Sequence, residues 1–475
     1  MAAEAVDKER FMKNRAEGAG SRMESFPLLE ALISRRSRRF ARGMSMNGGP
    51  LAYESGKDPQ PLSLEEEAAL AFAGCGVTGP TLAELPYESG GGEREAGSGN
   101  IIINLVGRTV ASGDAVHAAT LFIIDDGGAW MLKRPQDYPR AGILELVRMA
   151  REGRFIELYE RARIKVSDRR PDPPRELPFV LPFNKWSANV PGTTYFLPVA
   201  ELSAFYINIL LSAFTEEFSY FVADEQNGFK PAGLAKFARS KGGHLQDDPK
   251  AGRYATIGIL EAWLFEFAAI EQGGMLQNLA LMGEALGLGG FSHFAAHPFA
   301  WFEALSFRMQ DIPFSRTIGA GPLTKTLIRV LGKEIAVPTA VGFERNGEAL
   351  IKPYCPPYYR NMEEAVLAFV DYKYSQGRGT LRDGGSSTHW KHGADVQAGI
   401  PIYSDAAIAA TIAYCEYVYD RYGRFPANSG PFRTVLAHQA HRLDEDFYER
   451  FYKPEALPFA QGYREGGDLT QGGIK

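Results

Sequence analysis

This 475-residue sequence predicts an α+β fold, a mixed sheet flanked by helices. Three observations carry that expectation. Short apolar runs of strand length, NIIINL, AATLFIID, AWMLK and EIAVPTAVGF, stand between longer segments of helical period. Asp126-Gly127-Gly128 separates two of those runs as a hairpin turn would. In the stretch 271–290, Met275, Leu279, Met282 and Leu286 fall on one helical stripe that stops at Gly287, with Leu288 as the apolar residue beyond it.

Bulk properties narrow the function. With 52 Lys and Arg against 57 Asp and Glu, the formal net charge is −5. That gives no global electrostatic case for nucleic acid or an anionic membrane as partner. The uncharged run 202–214 holds 13 residues, short of the ~20 that a membrane span needs. The opening MAAEAVDKERFMKNRAEG is charged and lacks a signal peptide's apolar stretch. Cys75, Cys355 and Cys415 are too scattered for a disulfide framework or a paired-cysteine metal site. A cytoplasmic protein of a reducing compartment is expected.

In chain order, residues 1–25 read as a loose peripheral segment. FPLLEALIS is an amphipathic helix running into Arg35, Arg36, Ser37, Arg38, Arg39 and Arg42, five arginines in eight positions. Such a cluster is either a solvated basic face or a phosphate site, since guanidinium forks and a hydroxyl suit phosphate oxygens. Ser63 and Glu66 form a capping-box start for a helix to about residue 74. The loop 85–99 precedes an expected buried strand at 100–105, followed by GRTVASGDAVHA and the hairpin 118–133. Residues 143–164 have helical period. After a proline-rich separator, the region 181–250 reads as an insertion or lid, longer than ordinary connections. The glycine pair Gly273-Gly274 is expected just ahead of a helix's positive end, with bare amides. Helices are expected at 361–376, 404–422 and 431–452. The implied division is a core at 26–352 and a mostly helical extension at 353–475.

Three pieces of this sequence resemble the nitroreductase superfamily of flavoproteins, in that family's order. Arg35-Arg36-Ser37-Arg38-Arg39 is similar to its opening arginine-serine segment. Ala111-Ser112-Gly113-Asp114 resembles its ring-lining segment, although Ala111 replaces the usual proline and Asp114 a common asparagine. Glu271-x-Gly273 with Leu286-Gly287-Leu288-Gly289 looks like its glycine–helix–GLG segment. The run SLEEEAALAFAGCGVTG resembles the larger subgroup that includes thiazoline and oxazoline dehydrogenases. The resemblance implies a nitroreductase-like fold binding FMN. Arg35, Arg36, Ser37 and Arg39 would then hold the phosphate, and Ala111, Ser112, Gly113, Asp114, Gly273 and Gly274 the ring. Arg360 would be a late basic residue at the phosphate, with Lys352 second. It also implies a homodimer, NAD(P)H as a possible donor, and hydride transfer to or from a small-molecule or peptide substrate. No residue is singled out as catalytic. The alternative is a non-catalytic flavin-binding or scaffold protein of the same fold.

The pairs His389/His392 and His438/His441 would share helix faces at i, i+3 and suit a metal only if carboxylates closed the set. Packing histidines are the plainer reading, and no metal is assigned. His117, beside the expected ring-lining loop, is a structural histidine or a proton donor.

Overall fold

The computed structural model describes residues 26–87, 99–294, 298–386 and 388–453. Six strands build the central sheet: β1 (Ala119–Asp125), β2 (Gly128–Leu132), β3 (Arg163–Ser167), β4 (Thr193–Glu201), β5 (Gly289–Phe294) and β6 (Leu436–His441). Their spatial order is β5-β6-β4-β1-β2-β3, with a short strand Phe432–Arg433 also pairing with β4. Every neighbouring pair is antiparallel. The expected hairpin is present. Asp125 pairs with Gly128, and the Asp125 carboxylate accepts the Gly127 amide at 2.7 Å.

Both faces of this sheet are buried, which is why β1 is apolar at nearly every position instead of alternating. Leu121, Ile123, Phe196 and Ala200 join the larger core. Phe122, Ile124, Tyr195, Leu197 and Val199 pack on the other side with Trp301, Phe302, Phe307 and Phe343. Helices supply the larger core: α1 (Leu64–Cys75), α2 (Ser203–Ala213), α3 (Ile257–Ala285), α4 (Met362–Tyr374) and α5 (Asp405–Tyr422). The predicted capping box opens α1, Ser63 Oγ accepting the Glu66 amide at 3.2 Å and Glu66 accepting the Ser63 amide at 2.9 Å.

The long helix α3 corrects the reading of the glycine pair. It runs unbroken for 29 residues from an N-cap at Thr256, so Gly273 and Gly274 lie mid-helix and their amides are used within it. Two glycines cost about 1 kcal/mol each relative to alanine. Burial of Met275, Leu276 and Leu279, at about 1.5–3 kcal/mol each, outweighs that. The C-terminal end is as expected: Gly287 has φ 67°, its amide reaches Glu284 O at 3.0 Å, and the Leu288 amide reaches Gly283 O at 2.8 Å. A buried ion pair, Arg108–Glu271, ties α3 to the strand Val106–Arg108, which lies outside the central sheet. Glu271 also accepts the amides of Ala118 (3.2 Å) and Ala119 (3.3 Å), and Arg108 Nη1 donates to Ala119 O at 2.9 Å.

Three further expectations change. Residues 100–105 form a single 3-10 turn, Gly99–Ile101, followed by irregular chain. The region 193–213 does not cover the core from outside; it supplies the fully buried strand β4 and helix α2. Its hydrophobicity comes from a place in the middle of the sheet. Residues 431–452 are not one helix, because β6 inserts between β5 and β4 and only Glu445–Phe451 is helical. Segments expected in a core and in an extension therefore share one sheet. No helix among the described residues is long and apolar enough to cross a membrane. Cys75, Cys355 and Cys415 are buried and free.

Candidate functional site

After the helix Leu28–Ser34 the chain turns extended at Arg35. It is pinned along β5 by two backbone bonds, Arg38 N to Gly290 O (3.1 Å) and Gly290 N to Arg38 O (3.0 Å). That bridge places 35–37 over the C-terminal end of α3. Between them lies a cleft of about 190 Å³, with Arg35, Arg36 and Ser37 on one wall. Ala280, Gly283, Gly289 and Gly290 line it with little bulk, and Ser292 and His438 also face it.

Small residues here have two different causes. A Cβ on Gly290 would meet Gln439 O at 2.6 Å and His438 Nε2 at 2.9 Å, so that glycine is required by packing. A Cβ on Gly283 would meet nothing within 4 Å. Gly283 therefore leaves the cleft floor open rather than accommodating a neighbour.

The electrostatics are graded. Arg38 turns inward and pairs with Glu284 at 2.7 Å, both side chains nearly fully buried. Glu284 also accepts the Arg36 amide at 3.0 Å. Burial raises the Glu284 carboxyl, and Arg38 and the Arg36 amide oppose that shift. The one carboxylate in the cleft wall is thus engaged from behind. Arg36 Nη1 folds back on the carbonyls of Ile33 and Arg35, both at 2.9 Å. His438 is buried, shares a hydrogen bond with Ser292 Oγ through Nδ1 at 3.1 Å, and is pushed down to about 3 by burial and then by neighbouring His293, His441 and Arg35. It is a neutral imidazole at physiological pH. A Ser292 hydroxyl donating to Nδ1 leaves Nε2 carrying the ring proton. The cleft can receive an anion carried on a flat body, with guanidinium and hydroxyl donors at one end and bare backbone beneath.

The other expected site residues lie elsewhere. Arg39 donates to Phe183 O (2.9 Å), Asn184 Oδ1 (2.7 Å) and Ser187 Oγ (2.9 Å) and stacks over Phe291 at 4.5 Å, which makes it a clasp for the 183–187 loop. Ala111, Ser112, Gly113 and Asp114 lie outside the cleft. Ser112 Oγ accepts the His117 amide at 2.9 Å, and a Cβ on Gly113 would meet Phe267 at 2.8 Å. Asp114, at φ 52°, accepts from Asn208 Nδ2 at 3.3 Å and is pushed up to about 6 by burial, against the pull of Lys373. A Cβ on Gly274 would lie 2.5 Å from Val110 Cγ2, whereas Gly273 is open. Close approach of Val110 is what keeps Gly274 bare. Arg360 is exposed and pairs with Glu364 at 3.0 Å. His117 bonds Val106 O and is pushed down to about 3 by burial and Arg108, a neutral packing histidine.

His438, Ser292 and Glu284 were not singled out as cleft residues from sequence. A helical reading of 431–452 put His438 and His441 on one face, but on strand β6 residues three apart point to opposite faces. No strand signal was available there, since Ala437, His438, Gln439 and Ala440 do not alternate between apolar and polar. Among the described residues no group of three or more His, Cys, Asp or Glu is placed to hold a metal ion.

Comparison with known proteins adds little to this geometry. No protein-family model matches the chain, and no curated protein does. Among solved structures the chain is similar to a "putative nitroreductase" from Ralstonia eutropha JMP134. The two are 13% identical with a TM-score of 0.28, over 60% of this chain and 77% of that one. A likeness of that order leaves family membership open, so the functional reading rests on the site itself.

Proposed function

We propose that this chain is a flavin-dependent oxidoreductase whose arginine cleft takes the phosphate end of FMN. The observation that carries the reading is the convergence of 35–37 with the end of α3 and β5 on a floor left open at Gly283. Those residues fit the group. Arg35, Arg36 and Ser37 would hold the phosphate, while Ala280 and Gly283 would allow a flat body to lie close. Arg38 holds the Glu284 carboxylate back from the anion. Ser292 orients His438, whose uncharged ring can donate one hydrogen bond without adding charge. A bound flavin would supply two-electron hydride chemistry.

The residues expected at the ring, Ala111 to Asp114 and Gly273-Gly274, are off this cleft in their own chain. In this reading a second copy completes the ring end in a homodimer. A nicotinamide or the substrate itself gives the hydride, and the substrate is a small molecule or peptide. The same separation favours a second reading, in which the cleft binds a phosphorylated ligand and performs no redox step.

Titration of the purified protein with FMN, read by quenching of flavin fluorescence, tests the reading. Parent protein should quench, and bleach with NAD(P)H. Arg35→Ala/Arg36→Ala should weaken binding about 10-fold or more, as expected from charge-assisted bonds of ~1.5–3 kcal/mol. Parent protein that leaves FMN fluorescence unchanged sinks the proposal. Binding of FMN with no reduction by NAD(P)H selects the second reading.

A further inference from the structure

Away from the central sheet, the antiparallel strands Arg308–Pro313 and Ala336–Arg345 are joined through two short helices, Phe314–Thr317 and Pro322–Val330. The second helix is well made locally. Pro322 sits in its first turn, the Lys325 amide reaches Gly321 O at 2.9 Å, and Thr326 Oγ1 donates to Pro322 O at 3.0 Å. It stops at Gly332, φ 61°, where the Gly332 amide reaches Arg329 O and the Lys333 amide reaches Ile328 O, both at 3.0 Å. Yet none of its residues is buried.

Its apolar side points away from the protein. Leu323, Leu327, Val330 and Leu331 fall at i, i+4, i+7 and i+8, one helical stripe. They are 87%, 57%, 78% and 56% exposed, and Ile335 beyond them is 61% exposed. Within the helix only Lys325 and Ile328 are partly buried. At 3.6 residues per turn these two lie about 140° around the axis from the stripe, so the body of the protein is behind the helix. An isolated helix shorter than ~12 residues is marginal in water, and no core packing supports this one. The stripe is what an outside surface would cover.

Charge narrows what that surface is. From Ile312 to Lys333 the sequence has four cations, Arg316, Lys325, Arg329 and Lys333, and no acid. Arg316 is occupied by the carbonyls of Tyr419 and Asp420. Glu334 borders the stretch, but its Oε1 accepts the Ser315 amide at 2.9 Å. Ser315 first, and then Arg329 and Lys325, hold that carboxyl below its usual range. The patch thus keeps an excess of positive charge on a chain of net charge −5. A second copy suits it poorly, because a two-fold contact sets a patch against itself and here would face cations with cations. At ~14 Å long and ~10 Å wide, its footprint is on the order of 100–200 Å², against ~800 Å² per partner in a stable protein interface. A bilayer surface asks for neither matching shape nor that area, only an apolar stripe with basic residues on the other face. We propose that helix Pro322–Val330 docks this protein on an anionic phospholipid surface. Leu323, Leu327, Val330 and Leu331 enter the boundary between headgroups and acyl chains, and Lys325, Arg329 and Lys333 meet the anionic headgroups. This docking is independent of the flavin reading.

Flotation of the full chain with vesicles tests it, using phosphatidylcholine alone and phosphatidylcholine mixed with phosphatidylserine. The parent should bind the anionic vesicles about 10-fold or more tightly than the neutral ones, and less tightly as salt rises. Lys325→Gln/Arg329→Gln/Lys333→Gln should weaken binding roughly fivefold per cation removed. Leu323→Ser/Leu327→Ser should abolish flotation. None of these five positions is in the core, and circular dichroism separates lost binding from lost folding. Failure of the parent to float with the anionic vesicles overturns the proposal. So does equal binding to neutral vesicles, or undiminished binding by either folded variant. A parent dimer that Leu323→Ser/Leu327→Ser turns into a monomer in sedimentation would give this face to a second copy, and overturns it as well.

Discussion

Replacing Glu271 by glutamine keeps the side chain's volume and removes its charge, leaving Arg108 buried beside it. Both side chains are nearly fully buried, and Glu271 is the acceptor for the Ala118 and Ala119 amides as well. Breaking a buried pair from one side costs about 3–5 kcal/mol, mostly the stranded charge. Glu271→Gln should lose that much in urea unfolding followed by circular dichroism, with an unchanged m value. Adding Arg108→Met removes the stranded guanidinium. The remaining deficit is then one unmatched amide, at about 1–3 kcal/mol, and the Ala119 carbonyl that Arg108 Nη1 had served at 2.9 Å. The double variant should therefore be more stable than Glu271→Gln alone, the reverse of additive damage. A single variant within about 1 kcal/mol of the parent, or a double variant no better than the single, would refute the view that this pair fastens α3.

The cleft and its surroundings give further expectations. Gly283→Leu adds a good helix former where nothing opposes a Cβ, so stability should hold or rise by about 1 kcal/mol while FMN quenching is lost; retained quenching would place the ligand elsewhere. Gly274→Leu should damage folding first, because Val110 lies 2.5 Å from the new Cβ, and Val110→Ala should partly restore the unfolding midpoint. Lys373 is fully buried, donates to Asn100 O at 2.6 Å and Asn208 Oδ1 at 2.7 Å, and is pushed down to about 7 by burial against the pull of Asp114. An unfolded lysine titrates near 10.4, so from about pH 7 to 10 the unfolded chain binds more protons and stability rises with pH, by up to about 4–5 kcal/mol. Lys373→Met should flatten that rise in unfolding curves taken across the window; an identical slope would exclude Lys373 as its source.

Much of the local structure was readable from sequence because its causes are local. Asp126-Gly127, the Ser63/Glu66 box and the Gly287 stop each depend on a few neighbouring residues. What misled was context from far along the chain. LAHQAH carries no β-branched residue and reads as helix, yet it is strand β6 because β5 and β4 offer edges on both sides. Gly273-Gly274 looked like a helix boundary, but packing of the residues around it carries α3 through. The strand at 193–201 looked peripheral because it follows prolines, although all nine positions are buried. Of the candidate site, Arg35, Arg36 and Ser37 do meet the GLG end of α3. Arg39, the 111–114 loop, Gly274 and Arg360 were grouped with them by motif alone, and the fold sends them elsewhere.

The position of β6 has a consequence in time. It fills the slot between β5 and β4, and the 38–41 segment is bridged to Gly290 on one side and to Leu443 on the other. During synthesis at roughly 5–20 residues per second, the first arginines leave the ribosome long before residue 441 exists. Until then β5 has no place in the sheet and His438 has not been made. The cleft is thus completed only once β6 has been made. A nascent chain halted before residue 436 would carry the arginines and the α3 glycines, with Arg38 able to reach Glu284 and Gly290, but without the strand that joins β5 to the rest of the sheet.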